Sequence, residues 1–145
     1  MGAAAKIVLD TNVLVSALGW AGPERRVYEM CLQGEIDLCI CRHTVEDLLR
    51  VLDYPKFKFH EHHKVAFVQG LLRVANLVSP GPLPDVIRDD PDDNRVLACA
   101  SNARAEFLIT GDRHLLQLGS YGDTIICTAS TFLASHGQSR RVPPR

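Results

Sequence analysis

Short apolar runs rich in β-branched residues alternate along this chain with segments of helical character, and few folds accommodate that order. The runs lie near residues 6–10, 36–41, 107–110 and 124–127. Parallel strands need long crossover connections, which are usually helices, so the alternation predicts an α/β domain around a mostly parallel sheet. The length of 145 residues fits one domain of common size.

Three intervening segments have the features of helices. Residues 23–33 begin at a proline and stop before a glycine, and residues 63–76 are predicted to form a further helix. Residues 44–53 carry an apolar stripe at helical spacing, which we expect to face the core. The residues of that stripe are Val45, Leu48, Leu49 and Leu52.

Composition narrows the classes of function. A formal net charge of -1 provides no global attraction to nucleic acid or to an anionic membrane, so such a partner would need a local basic patch. No segment approaches the roughly 18 apolar residues of a membrane span, and the start of the sequence lacks a secretory signal pattern, so we expect a cytoplasmic protein. The five cysteines form no CxxC pair and are expected to be reduced core thiols rather than structural zinc ligands.

Acidic residues recur where the predicted strands end and where the following helices begin. Asp10 closes the first strand, Asp112 follows the strand at 107–110, and Asp93 lies at the start of a helix that leads into that strand. Because strand ends and these helix starts share one edge of a parallel sheet, we expect the three acids to lie at that edge. Glu46 and Asp47, near the start of the helix at 44–53, should reach the same edge.

Helix capping is the simpler explanation for each acid taken alone. An acid near a helix start is stabilising by about 0.3 to 1 kcal/mol and needs no further purpose. Thr44 with Asp47 has the pattern of a capping box, Asp90 with Asp93 nearly does, and Asp112 could cap the short helix "RHLLQL".

Asp10 is harder to explain by capping, because it ends an apolar strand where more core residues could have followed. Burying an unpaired carboxylate costs several kcal/mol, and no lysine or arginine recurs at these strand ends. Several carboxylates gathered at one edge would also raise one another's pKa. A divalent cation resolves both conflicts, and oxygen ligands favour Mg²⁺ or Mn²⁺ over zinc. Such sites usually act on phosphate esters.

Four segments in this order, "IVLDTNVLVSAL", "TVEDLL", "DDPDDNRVLACA" and "FLITGDRHLL", resemble a PIN domain over nearly the whole chain. The resemblance implies a three-layer α/β/α, Rossmann-like sandwich with a mostly parallel central sheet, here over residues 1–136, followed by a polar and basic tail at 137–145 that is expected to be flexible. It also implies an endoribonuclease that uses Mg²⁺ or Mn²⁺, as one or two ions. Many relatives are toxins, so the resemblance further implies an RNA substrate, a small antitoxin protein and a homo-oligomer, either a dimer or larger.

The resemblance also assigns the site residues. The acids that would bind metal and support catalysis are Asp10, Asp47, Asp93 and Asp112, with Thr11, Asn12 and Thr110 as supporting polar groups. Relatives commonly carry glutamate where this chain has Asp47, and Glu46 stands beside it. Which of these two residues supplies the second acid stays open.

Two other functions compete with the nuclease. One is a PIN-fold RNA-binding or scaffold protein with weak or no catalysis, although loss of the metal would leave the acids without compensation. The other is an aspartyl-phosphate phosphatase on a similar sheet. The sequence pattern of such phosphatases has a second aspartate two residues after the first, and this chain has Asn12 at that position.

Several residues outside the acidic set could contact RNA. Phe57 and Phe59 could offer stacking surfaces, and Trp20, in the loop after the first helix, either packs that loop or meets a partner. The cations that could line an RNA path are Arg25, Arg26, Lys56, Lys58 and Lys64. Charge on a solvated helix face is the alternative for these cations.

Overall fold

The computed structural model describes residues 4–79, 81–84 and 91–137. The strands are β1 (Lys6–Leu9), β2 (Asp37–Ile40), β3 (Asn76–Leu77), β4 (Phe107–Ile109), β5 (Ser120–Tyr121) and β6 (Thr124–Cys127). The helices are α1 (Thr11–Gly19), α2 (Pro23–Leu32), α3 (Arg42–Leu52), α4 (Glu61–Val74), α5 (Pro91–Ala103), α6 (Arg113–Leu118) and α7 (Ala129–Phe132), followed by a π-helical turn at Leu133–Gly137.

The strands form one sheet in the order β3-β2-β1-β4-β6-β5. Every neighbouring pair is parallel except β5 and β6. The mostly parallel sheet and its four main strands are therefore confirmed. The sequence did not predict β3 and β5, which have two residues each and too few side chains to show a periodic pattern.

Side chains of β1 alternate between two cores, which shows that the sheet is covered on both faces. Ile7 and Leu9 belong to a core that also contains buried residues of α1, α2, α3, α4 and α7. Val8 belongs to a second core, with buried residues of α5 and α6. This arrangement confirms the three-layer α/β/α sandwich. In the described part of the chain, no helix is long and apolar enough to cross a membrane.

Helix α3 differs from the sequence prediction in its start and in its buried face. It begins at Arg42 with Cys41 as its N-cap, so Thr44 lies inside the first turn and does not form the predicted capping box. Leu48 and Leu52 are buried as expected. The prediction is wrong for Leu49, which is 48% exposed. Leu49 lies about 100° around the helix from Leu48, beyond the face that α3 presents to the core.

The expectation of reduced thiols is wrong for two of the five cysteines. Cys41 and Cys99 form a disulfide, with 5.9 Å between their Cα atoms. It joins the residue after β2 to the inner face of α5, 58 positions away, and such a long-range pairing leaves no local signal in the sequence. The other three cysteines are buried free thiols, as expected. The predictions for Asp90 and for the tail beyond residue 137 lie outside the described residues.

Candidate metal and active site

The carboxyl edge of the sheet contains an open cleft of about 470 Å³. Four acids from separate segments of the chain line it, namely Asp10, Asp47, Asp93 and Asp112. The structure therefore brings the sequence-predicted acids to one cleft, although they do not all lie equally close together.

Asp10 and Asp112 are connected by the side chain of Thr110. Strands β1 and β4 pair in parallel, with Leu9 opposite Ile109, so the residues that follow them are neighbours although they are 100 positions apart. The Thr110 hydroxyl donates to Asp10 Oδ2 at 2.8 Å and accepts from the backbone N–H of Asp112 at 2.9 Å. This buried threonine holds the two acidic segments in a fixed relation.

Asp10 is a buried carboxylate whose charge is only partly compensated. It is 8% exposed, and its Oδ1 accepts from the backbone N–H of Thr11 at 2.8 Å. Burial raises the pKa of Asp10 above its ordinary value of 3.8, hydrogen bonds from Thr110 and Thr11 lower it, and the charges of Asp112 and Asp47 raise it further. No lysine or arginine in the described part of the chain forms an ion pair with Asp10. A bound cation would stabilise the ionised form of this acid.

The closest set of possible metal ligands consists of Asp93, Asp112 and His114. One ligand atom from each lies within 4.8 Å of the others. Asp93 is 5% exposed at the start of α5, and its Oδ2 lies 3.8 Å from Nδ1 of His114. Asp112 Oδ1 lies 4.0 Å from the same nitrogen. It also caps α6 by accepting from the N–H groups of His114 and Leu115, as the sequence predicted for Asp112.

Asp47 lines the cleft from α3 but lies outside that close set. Its Oδ1 accepts from the Arg50 guanidinium at 2.6 Å, so a cation of the protein already neutralises it. Glu46 does not line the cleft; it pairs with Arg42 at 3.3 Å, and both side chains are largely exposed. Position in the cleft therefore favours Asp47 over Glu46 as the second acid.

The three supporting polar residues also lie at the cleft or next to it. Thr11 and Asn12 line it. Asn12 Oδ1 accepts from the backbone N–H of Gly111 at 3.3 Å, which fixes the loop between β4 and α6. Thr110 is buried directly behind Asp10.

Sequence reasoning missed His114, Arg50 and Asp92 among the residues of the site. His114 stands two positions after Asp112 in "TGDRH", and that spacing near an expected ligand was an available signal. Arg50 lies one helical turn after Asp47, where an i,i+3 ion pair could have been expected. Asp92 lines the cleft and pairs with Arg95 at 3.4 Å.

The donor set suits a hard or borderline divalent cation. The two carboxylates provide oxygen ligands that suit Mg²⁺ and Mn²⁺, and the imidazole within 4.8 Å of them adds a nitrogen ligand that suits transition ions. Fold and site together define a Rossmann-like α/β/α domain with a candidate divalent-metal centre at the carboxyl edge of its sheet.

Comparison with known proteins identifies the family. The sequence profile described as "PIN domain" matches residues 6–114, and the chain belongs to this family. PIN domains are generally nucleases, which are hydrolases, and they typically bind a divalent metal. No curated protein matches the chain significantly.

Proposed function

We propose that this protein is an endoribonuclease that hydrolyses RNA phosphodiester bonds with Mg²⁺ or Mn²⁺. The observation that supports the proposal best is the meeting of four acids from separate chain segments in one cleft. Capping alone explains Asp112, which binds two N–H groups of α6, but it does not explain why Asp93 and Asp47 lie in the same cleft.

Asp93, Asp112 and His114 would hold the ion, because their ligand atoms are the closest to one another. The ion would activate a water for attack on phosphorus and neutralise charge on the leaving oxygen. Asp10 adds a further negative charge to the cleft, and the hydrogen bond from Thr110 fixes the orientation of its carboxylate. Arg50 keeps Asp47 at the cleft wall by a hydrogen bond of 2.6 Å.

We also propose that the protein acts as the toxin of a toxin-antitoxin pair, with a small protein inhibitor and self-association. This part rests on the family alone. Induced expression of the wild-type chain should arrest bacterial growth, and Asp93→Asn should relieve the arrest. Arrest that persists with Asp93→Asn would contradict a toxic activity based on cleavage.

A second candidate function is RNA binding without turnover. It is favoured by the Arg50 pair, which neutralises Asp47 without any metal, and by the position of Asp10 outside the close ligand set. Under this alternative, RNA would bind equally well with and without Mn²⁺ and would stay intact.

The deciding experiment follows cleavage of end-labelled single-stranded RNA by purified protein in Mn²⁺, in Mg²⁺ and in EDTA. Wild-type protein should cleave with either ion and lose activity in EDTA. Asp93→Asn should be inactive. Asp123→Asn, which changes an exposed acid in the turn between β5 and β6, should cleave like wild type. Cleavage that survives EDTA or Asp93→Asn would refute the proposal.

A further inference from the structure

An aromatic surface borders the acidic cleft on the side of α3. We call it the aromatic wall, and its members are Trp20, Tyr54, Phe57 and Phe59. Trp20 and Phe57 line the same cleft as the four acids. Arg50 connects the two regions, because it donates to Asp47 Oδ1 at 2.6 Å and to the Tyr54 hydroxyl at 2.8 Å. Acids and aromatic rings therefore form one continuous surface.

The rings of the aromatic wall are held by specific packing. Phe57 and Phe59 stack with 5.3 Å between centroids and 8° between planes. Trp20 packs edge-to-face against both, with centroid distances of 6.2 and 6.3 Å. Phe59 lies against Gly19, where an added Cβ would come within 3.1 Å of the ring. Glycine thus allows the close approach of this ring to the end of α1.

The backbone on both sides of the wall is also constrained. Arg25 donates to the carbonyl oxygens of Ala17 and Leu18, each at 2.9 Å, and so fixes the end of α1 that presents Trp20. Lys58, between the two phenylalanines, has a φ of 52°, a left-handed conformation that non-glycine residues seldom adopt.

Part of the aromatic wall remains exposed to solvent. Trp20 is 55% exposed and Tyr54 is 38% exposed. Lysines accompany the rings: the Lys56 ammonium lies 5.1 Å from the centroid of Phe57, and Lys58 is exposed next to it. Exposed rings with flanking cations are the combination that binds single-stranded nucleic acid, because bases stack on the rings and phosphates pair with the cations.

We propose that the aromatic wall is a nucleobase subsite, in which Trp20 stacks with an unpaired base of the RNA strand next to the phosphate held at the acids. The proposal rests on the proposed function for the identity of the strand. Since every base has a π face, the subsite selects unpaired strands over duplexes and does not specify a base sequence. Lys56 and Lys58 contact the phosphates that flank the stacked base.

Trp20 is the single tryptophan of the chain, so its fluorescence reports on this subsite alone. A short oligouridylate is mixed rapidly with wild-type protein in Mg²⁺, and the fluorescence is recorded before hydrolysis proceeds. Binding should quench Trp20. An abasic oligomer with the same ribose-phosphate backbone should leave the fluorescence unchanged and bind about 5- to 150-fold more weakly, the factor that one stacked base contributes.

Variants separate stacking from general effects on the fold. Trp20→Ala should weaken oligouridylate binding by the same factor of about 5 to 150, and Trp20→Phe should retain most of the affinity because a ring remains. Leu72→Ala is the matched control, since Leu72 is 53% exposed on α4 and does not line the cleft. Affinities are measured by fluorescence anisotropy of labelled RNA, and circular dichroism checks each fold.

The outcomes distinguish the subsite from the catalytic activity. Base-dependent quenching without metal-dependent cleavage would support the subsite and refute the nuclease. Cleavage with equal binding of the abasic and uridine strands would refute the subsite and leave the nuclease standing. Quenching by duplex RNA as strong as by single strands would also overturn the proposal, because paired bases cannot reach Trp20. This comparison uses the wild-type protein, so it decides the matter even if Trp20→Ala fails to fold.

Discussion

Replacing Asp10 by asparagine should stabilise the metal-free protein and at the same time weaken its response to metal. The carboxylate is 8% exposed, and burial raises its pKa above 3.8. A raised pKa in the folded state means that the favourable contribution of the acid exists at low pH and is lost as the pH rises through the raised value. Above that raised pKa, the folded protein therefore bears the full cost of the buried charge.

The expected magnitude follows from the partners of Asp10. The charge costs several kcal/mol to bury. Two hydrogen bonds offset it, from Thr110 and Thr11, each at 2.8 Å. Asparagine keeps an acceptor for Thr11 and offers its amide to the Thr110 oxygen, so each contact weakens by about 1 kcal/mol rather than disappearing. We expect Asp10→Asn to be about 1 kcal/mol more stable than wild type in EDTA, or about 2 to 4 °C higher in Tm.

Bound Mn²⁺ should make the wild type more stable than Asp10→Asn. At a concentration of 100 times Kd, Mn²⁺ stabilises the wild type by about 2.7 kcal/mol. The variant lacks one charge of the site and should gain much less. Thermal unfolding in EDTA and across a Mn²⁺ titration measures both effects, with Asp123→Asn as a control that responds to metal like wild type. A variant that is less stable than wild type in EDTA, or that gains equally from Mn²⁺, would refute the electrostatic argument.

Four further changes test other parts of the protein. Asp112→Ala should lower the free energy of unfolding in EDTA by about 1 kcal/mol through loss of the α6 cap, whereas Asp112→Asn keeps the cap, as urea titration would show. Asp47→Asn should slow RNA cleavage by about 10- to 100-fold while Glu46→Gln leaves it unchanged, because only the former residue lines the cleft. Burial lowers the pKa of His43 below 6.5, so the unfolded state takes up a proton at a higher pH than the folded state does. As the pH is lowered below 6.5, the free energy of unfolding should therefore decrease more steeply in wild type than in His43→Gln. Urea midpoints across this pH range measure the difference. His114→Ala should weaken Mn²⁺ binding more than Mg²⁺ binding, because imidazole suits transition ions better. The measurement is the metal concentration that gives half of the maximal increase in Tm.

Each of these four has a result that would contradict it. Equal stability of the two Asp112 variants would remove the capping argument. Loss of activity in Glu46→Gln would return the second acid to Glu46. Parallel pH profiles would show that His43 is not the group that titrates, and an unchanged preference between ions would exclude His114 as a ligand.

The fold was predictable because its signals are local. The strands β1, β2, β4 and β6 each contain a run of three apolar residues that includes at least one β-branched residue, and helical segments separate these runs. The same local signals predicted that the acids lie at the carboxyl edge, since strand ends and helix starts can be recognised in the sequence. Asp112 as the N-cap of α6 is one result of that logic.

The errors come from interactions between distant residues. The disulfide of Cys41 with Cys99 joins the residue after β2 to α5, 58 positions along the chain, so no short segment shows it. The exposure of Leu49 depends on how α3 is rotated about its own axis when it packs. Periodicity defines a stripe on a helix, but only the neighbouring layer decides which edge of that stripe is covered.

The amino-acid sequence alone determined the order of the four main strands along the chain, the helical segments between them and the edge of the sheet at which the acids lie, because backbone direction and apolar periodicity are properties of short segments. Only the tertiary structure decided which ligand atoms come within 4.8 Å of one another and placed His114 among them. It alone set Trp20 and Phe57 against the same cleft. The physical reason is that distances of a few ångströms between segments far apart in the chain depend on strand register and helix packing, which no local pattern encodes.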